Sequence, residues 1–314
     1  MKVVVTGGAG FIGSHLVRAL AERGDQVVVI DNLSTGKESN LAPVADRCRL
    51  VLGDIRERDL LLREFRDVEV VFHQAAMVSV QKSVENPLEC NEVNVRGTLN
   101  VIECARHWGV RRVVFASTCA IYGDSEVLPK REELPPCPLS PYAVSKLVGE
   151  QYGLLYRRLY GLPVQPLRYF NVFGPGQDPT SDYAAVIPRF ISRMLAGERP
   201  IIFGDGEQTR DFVYVGNVVQ ANLLAAERDS PGHPVNIGSG TSYSLNQLVS
   251  ILNGILGTSL EPEYREPRPG DVRHSRADVS LARRVLGFAP AVGLREGLEE
   301  TVGALERGSH GSRG

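Results

Sequence analysis

A β-branched run, Val3-Val4-Val5, passes directly into Gly7-Gly8-Ala9-Gly10-Phe11-Ile12-Gly13, with glycines at 7, 10 and 13 ahead of an amphipathic stretch. Glycine permits tight turns and close approach of other groups, and the first turn of a helix offers unpaired N–H groups at the positive end of its dipole. A second apolar run ends in Val29-Ile30-Asp31, which sets a carboxylate about 20 residues beyond the glycines. Strand, glycine turn, helix and acid-terminated strand together confine the start of the chain to a β-α-β unit that cradles a dinucleotide. Asp31 can accept hydrogen bonds from the adenosine ribose hydroxyls and would repel a 2′-phosphate, so the expected cofactor is NAD rather than NADP. Ser14-His15 follows the glycines where a nucleotide-binding P-loop needs Lys-Ser/Thr, which excludes that alternative.

Further short apolar runs recur at Leu50-Leu52, Val70-Phe72, Val113-Phe115, Val164-Leu167 and Val235-Ile237, besides Val3-Val5 and Val27-Ile30. They do not alternate with polar residues, as befits strands covered on both faces, and most intervening segments are long enough for crossover helices. Helical patterns are clearest at His15-Arg23, Asn94-Trp108 and Tyr142-Tyr160. The fold class is therefore α/β, a Rossmann-type doubly wound parallel sheet. Beyond Asn171, punctuation such as Gly174-Pro175-Gly176 and Pro269-Gly270 suggests irregular loops over a cleft. The expected organisation is a dinucleotide-binding domain of residues 1–172 plus 213–238, a smaller discontinuous lobe of 173–212 plus 239–306, and a flexible tail from 307 to 314.

The 314 residues balance 35 Lys+Arg against 37 Asp+Glu, so no basic surface for nucleic acid is expected. Five scattered cysteines, at 48, 90, 104, 119 and 137, form neither a disulfide framework nor a metal motif and read as reduced thiols. No stretch resembles a signal peptide or a membrane span, and a cytoplasmic protein without a metal is expected.

Tyr142 and Lys146 stand four residues apart, which puts both on one face of a helix, one turn from each other. A nearby ammonium favours the phenolate of a group whose pKa is ordinarily near 10, and the positive nicotinamide would add to this. Taken alone the spacing is a common helical accident. A hydroxyl at Ser117 or Thr118, at the carboxyl end of the fifth strand, is its natural partner, because open α/β sheets bind ligands at that edge. Asp54, after the third strand, can meet the adenine amino group with Ile55 packed on the ring, or can instead cap the next helix. The small side chains of Gln74-Ala75-Ala76 would let the cofactor pass close to the backbone. His15 reads as solvent-facing, and His73 as packed or near the cofactor rather than as a metal ligand.

These features together resemble the extended short-chain dehydrogenase/reductases, specifically the nucleotide-sugar 4-epimerases. The likeness runs from Thr6-Gly7-Gly8-Ala9-Gly10-Phe11-Ile12-Gly13-Ser14 through Arg168-Tyr169-Phe170-Asn171-Val172-Phe173-Gly174-Pro175 to Pro269-Gly270-Asp271-Val272-Arg273-His274-Ser275. It implies Tyr142 as base, Lys146 as its tuner and a ligand of the nicotinamide ribose, and Thr118 as the auxiliary hydroxyl, where Ser is commoner. NAD would lie along Gly7, Gly10, Phe11 and Ile12, then Asp31, Asn32, Asp54 and Ile55. It would continue past Gln74, Ala75, Ala76 and Asn94 to Tyr142, Lys146 and Tyr169.

Related 4,6-dehydratases carry an Asp-Glu pair directly after the Thr, where this chain has Cys119-Ala120. Neither residue can serve as the acid and base of water elimination, so the implied reaction is inversion at carbon-4 through a transient ketone. For the substrate the resemblance implies Asn171, Arg210 and Arg268 on the diphosphate, with ion pairing of Arg210 to Asp211 as the structural alternative. It implies Asp271 at the uridine ribose and Leu245 and Phe203 around the uracil. Ser275 is small where many UDP-galactose epimerases carry Tyr, and the loop Tyr183-Ala184-Ala185-Val186-Ile187-Pro188 is similar to that of epimerases acting on N-acetylated sugars. UDP-GlcNAc/UDP-GalNAc is thus the expected pair, with UDP-Glc/UDP-Gal also turned over. Alternatives are a UDP-glucuronate epimerase or sugar reductase, with Arg273 and His274 near the sugar, and a non-catalytic sensor, which would be expected to lack Tyr142 or Lys146. A homodimer pairing two helices per subunit is expected, with Trp108 and Leu154-Leu155 as candidate contacts.

Overall fold

In the computed structural model, which describes residues 1–179, 185–229, 232–267 and 272–311, all seven apolar runs become strands of one parallel sheet. They begin with β1 (Lys2–Thr6), β2 (Gln26–Asp31), β3 (Cys48–Leu52), β4 (Val70–His73), β5 (Arg112–Thr118) and β6 (Val164–Tyr169). Four short strands follow, β7 (Asn171–Phe173), β8 (Ile201–Phe203), β9 (Thr209–Arg210) and β10 (Phe212–Tyr214), and then the returning strand β11 (Val235–Ile237). The last two are β12 (Tyr243–Ser244) and β13 (Glu263–Arg265). The sheet order is β3-β2-β1-β4-β5-β6-β11, so strand order reverses between β1 and β4. Ligands of such sheets bind outside the carboxyl ends of the strands at that reversal.

The period of two explains why these runs are apolar throughout. Val3, Val5, Val27 and Val29 point into the layer filled by the helices Phe11–Glu22 and Val215–Glu227. Val4, Val28 and Ile30 point into the opposite layer, filled by the helices Arg58–Glu64, Gly97–His107 and Pro141–Tyr160. Each fully buried Val or Ile contributes roughly 1.5–3 kcal/mol by leaving water. A polar residue on either face would forfeit that.

The chain after Asn171 is more regular than its Pro/Gly content suggests. It holds the helices Val186–Leu195, Leu245–Leu256 and Leu294–Gly311, whose apolar faces meet in a second core with Phe173, Phe212 and Tyr214. In the first of these, Ile187, Phe190, Ile191 and Met194 are buried at helical spacing. A capping box between Ser244 and Gln247 starts the second. Nor does the chain turn irregular at residue 307, because the last helix runs on to Gly311. The short strands pair as β7–β10, β8–β13 and β9–β12. Among the described residues no helix is long and apolar enough to cross a membrane, no metal-binding cluster occurs, and all five cysteines are free thiols.

Candidate active site

The glycine turn closes tightly over the β1–β4 reversal. Gly7 has φ +70°, and a Cβ there would lie 2.6 Å from the backbone nitrogen of Ala75; one at Gly13 would lie 2.1 Å from the Gly7 carbonyl. Only glycine fits either place. Gly10 differs, since a Cβ there would meet only the Gly7 oxygen, at 3.2 Å, and otherwise faces open space. Gly10 is also the N-cap of Phe11–Glu22 and makes no side-chain cap, so the helix end presents its N–H groups to that space, as a diphosphate requires. Asp31 closes β2 with Oδ2 accepting from Ala9 N (2.9 Å) and Oδ1 from Leu33 N (2.8 Å), which orients the carboxylate at the edge of the turn. These residues fit NAD.

The helix Pro141–Tyr160 carries the candidate base. Ser140 caps it by accepting from Ala143 N (3.2 Å), Pro141 occupies its first turn, and Gly161 ends it in the left-handed region at φ +71°. The Tyr142 phenol neighbours the side chain of Thr118, whose hydroxyl favours its charged form. Thr118 Oγ1 accepts from Ala120 N at 3.1 Å, which leaves its own O–H to donate outward. Ser117 does not compete for this role, because its Oγ donates to Glu150 Oε1 at 2.6 Å on the buried side of the strand. Thr118 is thereby distinguished from Ser117.

Burial pushes the Tyr142 phenol up to about 12, with the Thr118 hydroxyl opposing it. Lys146 Nζ donates to the Ala116 carbonyl at 2.8 Å and lies 5.0 Å from the Phe115 ring centroid. Burial lowers Lys146 itself to about 8. Beneath it His73 is fully buried, bridging Thr6 Oγ1 (2.7 Å) and Thr98 Oγ1 (2.9 Å), and burial with the Lys146 charge lowers it to about 3. His73 is thus a neutral packed histidine. Its native pKa is depressed, so the unfolded chain takes up a proton that the folded one refuses as pH falls from 6.5 towards about 3. Stability from this residue is complete above 6.5 and declines below it. Unfolding by urea at pH 7 and pH 4.5 should show that fall reduced by about 2–3 kcal/mol in His73→Gln; an unchanged fall would mean that His73 is not held neutral.

Several residues expected at the cofactor also make contacts within the chain. Ile55 is buried against Gly97, where a Cβ would lie 2.5 Å from its Cδ1. Asp54 is not a helix cap: its oxygens accept from Arg56 (2.8 and 2.9 Å) and Asn32 Nδ2 (2.9 Å), and these bonds, led by Arg56, lower it to about 2. The Asn94 amide clamps both backbone groups of Met77 (2.7 and 3.0 Å) and donates to Ser145 Oγ (3.0 Å), tying the loop after β4 to the catalytic helix. The Tyr169 hydroxyl is turned to Asn222 and Gln74 on the side of β6 that faces the helix Val215–Glu227. His15 is half-buried rather than solvent-facing, with Nε2 2.8 Å from the Pro175 carbonyl oxygen. Phe11 and Ile12 pack partly against the second core, and Gln74 and Ala75 border the Gly7 turn.

Beside this site lies a cavity of ≈ 480 Å³, lined by five of the expected substrate residues: Asn171, Val186, Phe203, Arg210 and Leu245. Val78, Arg189 and Phe190 also line it; sequence reasoning missed them, although Arg189 and Phe190 lie within one helical turn of Val186. Tyr169 pairs with Thr118 across β5–β6, and Asn171, two residues further on, lines the cavity, so cavity and candidate base adjoin. Asp211 does not use Arg210 as its partner. It is fully buried and accepts from Ser239 N and Oγ (both 2.7 Å) and from the N–H groups of Gly240 and Ala277 (both 3.0 Å). Its carbonyl receives the Asn171 N–H and Nδ2 (3.0 and 3.2 Å), so one residue ties Asn171 to the strand bearing Arg210. Ser275 is buried and pairs its N–H with the Thr209 carbonyl (3.1 Å), next to Arg210. Arg268, Asp271 and Tyr183 lie outside the described residues. Arg273 is held at the surface by both oxygens of Asp205 (2.8 Å each), and His274 Nδ1 lies 3.0 Å from Thr209 Oγ1.

A doubly wound sheet with an NAD cradle at its reversal and a Tyr-x-x-x-Lys helix beside a threonine defines an extended short-chain dehydrogenase/reductase. Residues 3–238 match the model of the NAD dependent epimerase/dehydratase family. A putative UDP-glucose 4-epimerase of Methanocaldococcus jannaschii is 47% identical, over 96% of this chain and 97% of its own. The solved UDP-glucose 4-epimerase of Thermotoga maritima with UDP-glucose superposes with a TM-score of 0.94 at 43% identity, covering 98% of this chain and 100% of its own. The UDP-N-acetylglucosamine 4-epimerase of Methanobrevibacter ruminantium, in complex with UDP-N-acetylmuramic acid, gives a TM-score of 0.94 at 42% identity and 98% coverage of both. The chain belongs to the NAD dependent epimerase/dehydratase family, as an NAD-dependent nucleotide-sugar 4-epimerase.

Proposed function

We propose that the chain inverts carbon-4 of UDP-hexoses through a transient 4-keto sugar, and that it turns over both UDP-Glc/UDP-Gal and UDP-GlcNAc/UDP-GalNAc. The observation that carries this reading is the Tyr142 phenol beside the Thr118 hydroxyl, at the strand end next to the cavity bearing Asn171 and Arg210. Tyr142 takes the proton of the 4-hydroxyl while Thr118 donates to the same oxygen, and Lys146 holds the nicotinamide ribose. NAD, when bound, supplies the hydride acceptor and then the hydride donor at carbon-4, together with a positive charge close to Tyr142. After the ketone has turned over in the cavity, carbon-4 is reduced on its opposite face and Tyr142 returns the proton to the oxygen. Net redox change is zero.

Asn171, Arg210 and Arg268 hold the diphosphate, for which a guanidinium fork is well shaped. Phe203 and Leu245 sandwich the uracil, Asp271 takes the uridine ribose, and Val186 and Ser275 border the sugar. Gly7, Gly10, Asp31 and Asn32 take the adenosine diphosphate part of NAD. Dehydration has no support, because Ala120 carries no proton and burial pushes the Cys119 thiol up to about 12.

Purified protein incubated with UDP-Glc, UDP-GlcNAc and UDP-GlcA, with products separated by anomeric NMR, tests the reading. Galacto-configured products from the first two support it; a 4-keto-6-deoxy product, or turnover of UDP-GlcA alone, overturns it. The second substrate pair rests on the small side chain at Ser275. Ser275→Tyr should therefore abolish UDP-GlcNAc turnover and leave UDP-Glc turnover within a few-fold, whereas equal losses on both would refute the placement of Ser275.

We place the protein in the cytoplasm, which its free thiols suit, and as a homodimer. Exposed Val84 and Leu88, together with Leu155 and Leu159 on the helix Pro141–Tyr160, supply an apolar face for a second copy. Sedimentation should give twice the chain mass, and Leu155→Glu/Leu159→Glu should give the monomer.

A further inference from the structure

The helix that carries Tyr142 is fastened to β5 by more than one contact. Tyr142, Lys146 and Glu150 are spaced by four, so they lie along one face of that helix. All three meet the strand end: Tyr142 neighbours the Thr118 side chain, Lys146 donates to the Ala116 carbonyl (2.8 Å), and Glu150 accepts from the Ser117 hydroxyl (2.6 Å). Between the last two, Gly149 rides directly on Phe115, where a Cβ would lie 2.5 Å from the ring. The helix therefore sits as close to the strand as backbone allows.

Glu150 has no solvent exposure, and Arg168 only 4%. Arg168, the Cα partner of Ser117 across β5–β6, grips Glu150 with Nε on Oε1 (2.9 Å) and Nη2 on Oε2 (2.8 Å). Its Nη1 donates to Tyr122 Oη (2.8 Å), which donates to Asn236 Oδ1 (2.7 Å) on β11. The carboxylate is thus held from two strands at once, and Ser117 is the donor adjacent to Thr118. A bidentate pair in such a dry place has a single low-energy geometry, so it fixes where along β5 the helix stops.

We infer that Glu150, held by Arg168 and bonded to Ser117, is a positioning residue that sets the register of the helix on β5 and so brings Tyr142 onto the Thr118 hydroxyl. It touches neither sugar nor cofactor. Its influence reaches the reaction through Ser117 and the helix, which makes proton transfer, rather than substrate capture, the step it governs. This rests on the roles proposed above for Tyr142 and Thr118.

Ser117→Ala is the mild probe, because it removes the link to the strand and keeps the Glu150–Arg168 pair. The expected result is a fall in kcat of about 5–20-fold with KM for UDP-Glc within two-fold, measured well below the melting temperature. In a Thr118→Ala background the same change should cost less than two-fold, because the hydroxyl being placed is already gone. Ser117→Thr, which keeps a hydroxyl, should recover at least half of the lost kcat. A Ser117→Ala enzyme with normal kcat, or one whose loss is undiminished in the Thr118→Ala background, would overturn the inference and leave the contact as packing. Wild-type turnover and the Thr118→Ala loss, measured alongside, separate that failure from failure of the catalytic roles themselves.

Discussion

Tyr142→Phe lowers kcat by a factor on the order of 10²–10⁴, the range that a positioned acid–base group supplies, while the fold survives. The change removes one oxygen. Its partner, the Thr118 hydroxyl, keeps the bond from Ala120 N and faces the site rather than a sealed core. The helix is held independently by Lys146 on Ala116 and Glu150 on Ser117. The melting temperature should therefore move by no more than a few degrees, and NAD affinity should be little changed because the ring remains. Turnover by NMR and a thermal melt on the same preparation check both halves. A variant that retains a tenth of the activity would remove Tyr142 from its role, and one that fails to fold would show the hydroxyl to be structural.

Glu150→Ala is expected to be the most destabilising single change near the site. It strips the Arg168 guanidinium of both carboxylate bonds and the Ser117 hydroxyl of its acceptor, in a place with almost no access to water. Breaking one side of a buried pair typically costs 3–5 kcal/mol, because the remaining charge is left without compensation. A chain of this size should lose on the order of 10 °C of melting temperature. Removing the charge of Arg168 as well should recover part of the loss, so Glu150→Leu/Arg168→Met is expected to melt above Glu150→Ala. Urea unfolding of the three variants and the parent tests this. A Glu150→Ala protein as stable as the parent would mean that water reaches the pair.

The parts of this molecule that repeat locally were legible in the chain. Seven β-branched runs announced seven strands because a strand covered on both faces must be apolar at every position, as at Val3, Val4 and Val5. The glycine turn was legible because steric exclusion at Gly7 and Gly13 leaves no other residue a place. Tyr142 and Lys146 were legible as a helical pair, and Asn171, Val186, Phe203, Arg210 and Leu245, noted through a family likeness, share one cavity. What escaped depends on contacts between distant segments. Nothing near Glu150 in the chain discloses Arg168, which β6 brings to it 18 residues later. Whether Ser117 or Thr118 faces Tyr142 was open until the strand's two sides were known. Nor does residue type alone place Ile55 in the core against Gly97 or turn the Tyr169 hydroxyl to Asn222. The helices after Asn171 were masked by the prolines and glycines between them, although Ile187, Phe190, Ile191 and Met194 carried their signal.

The central claim is that hydride leaves carbon-4 and returns to it without passing through water. UDP-glucose bearing deuterium at carbon-4, incubated in ordinary water with the purified protein and NAD, tests this most directly. The account predicts UDP-galactose with the deuterium retained at carbon-4 and no label in the solvent. Galactose formed with hydrogen at carbon-4 and deuterium released to water would contradict it.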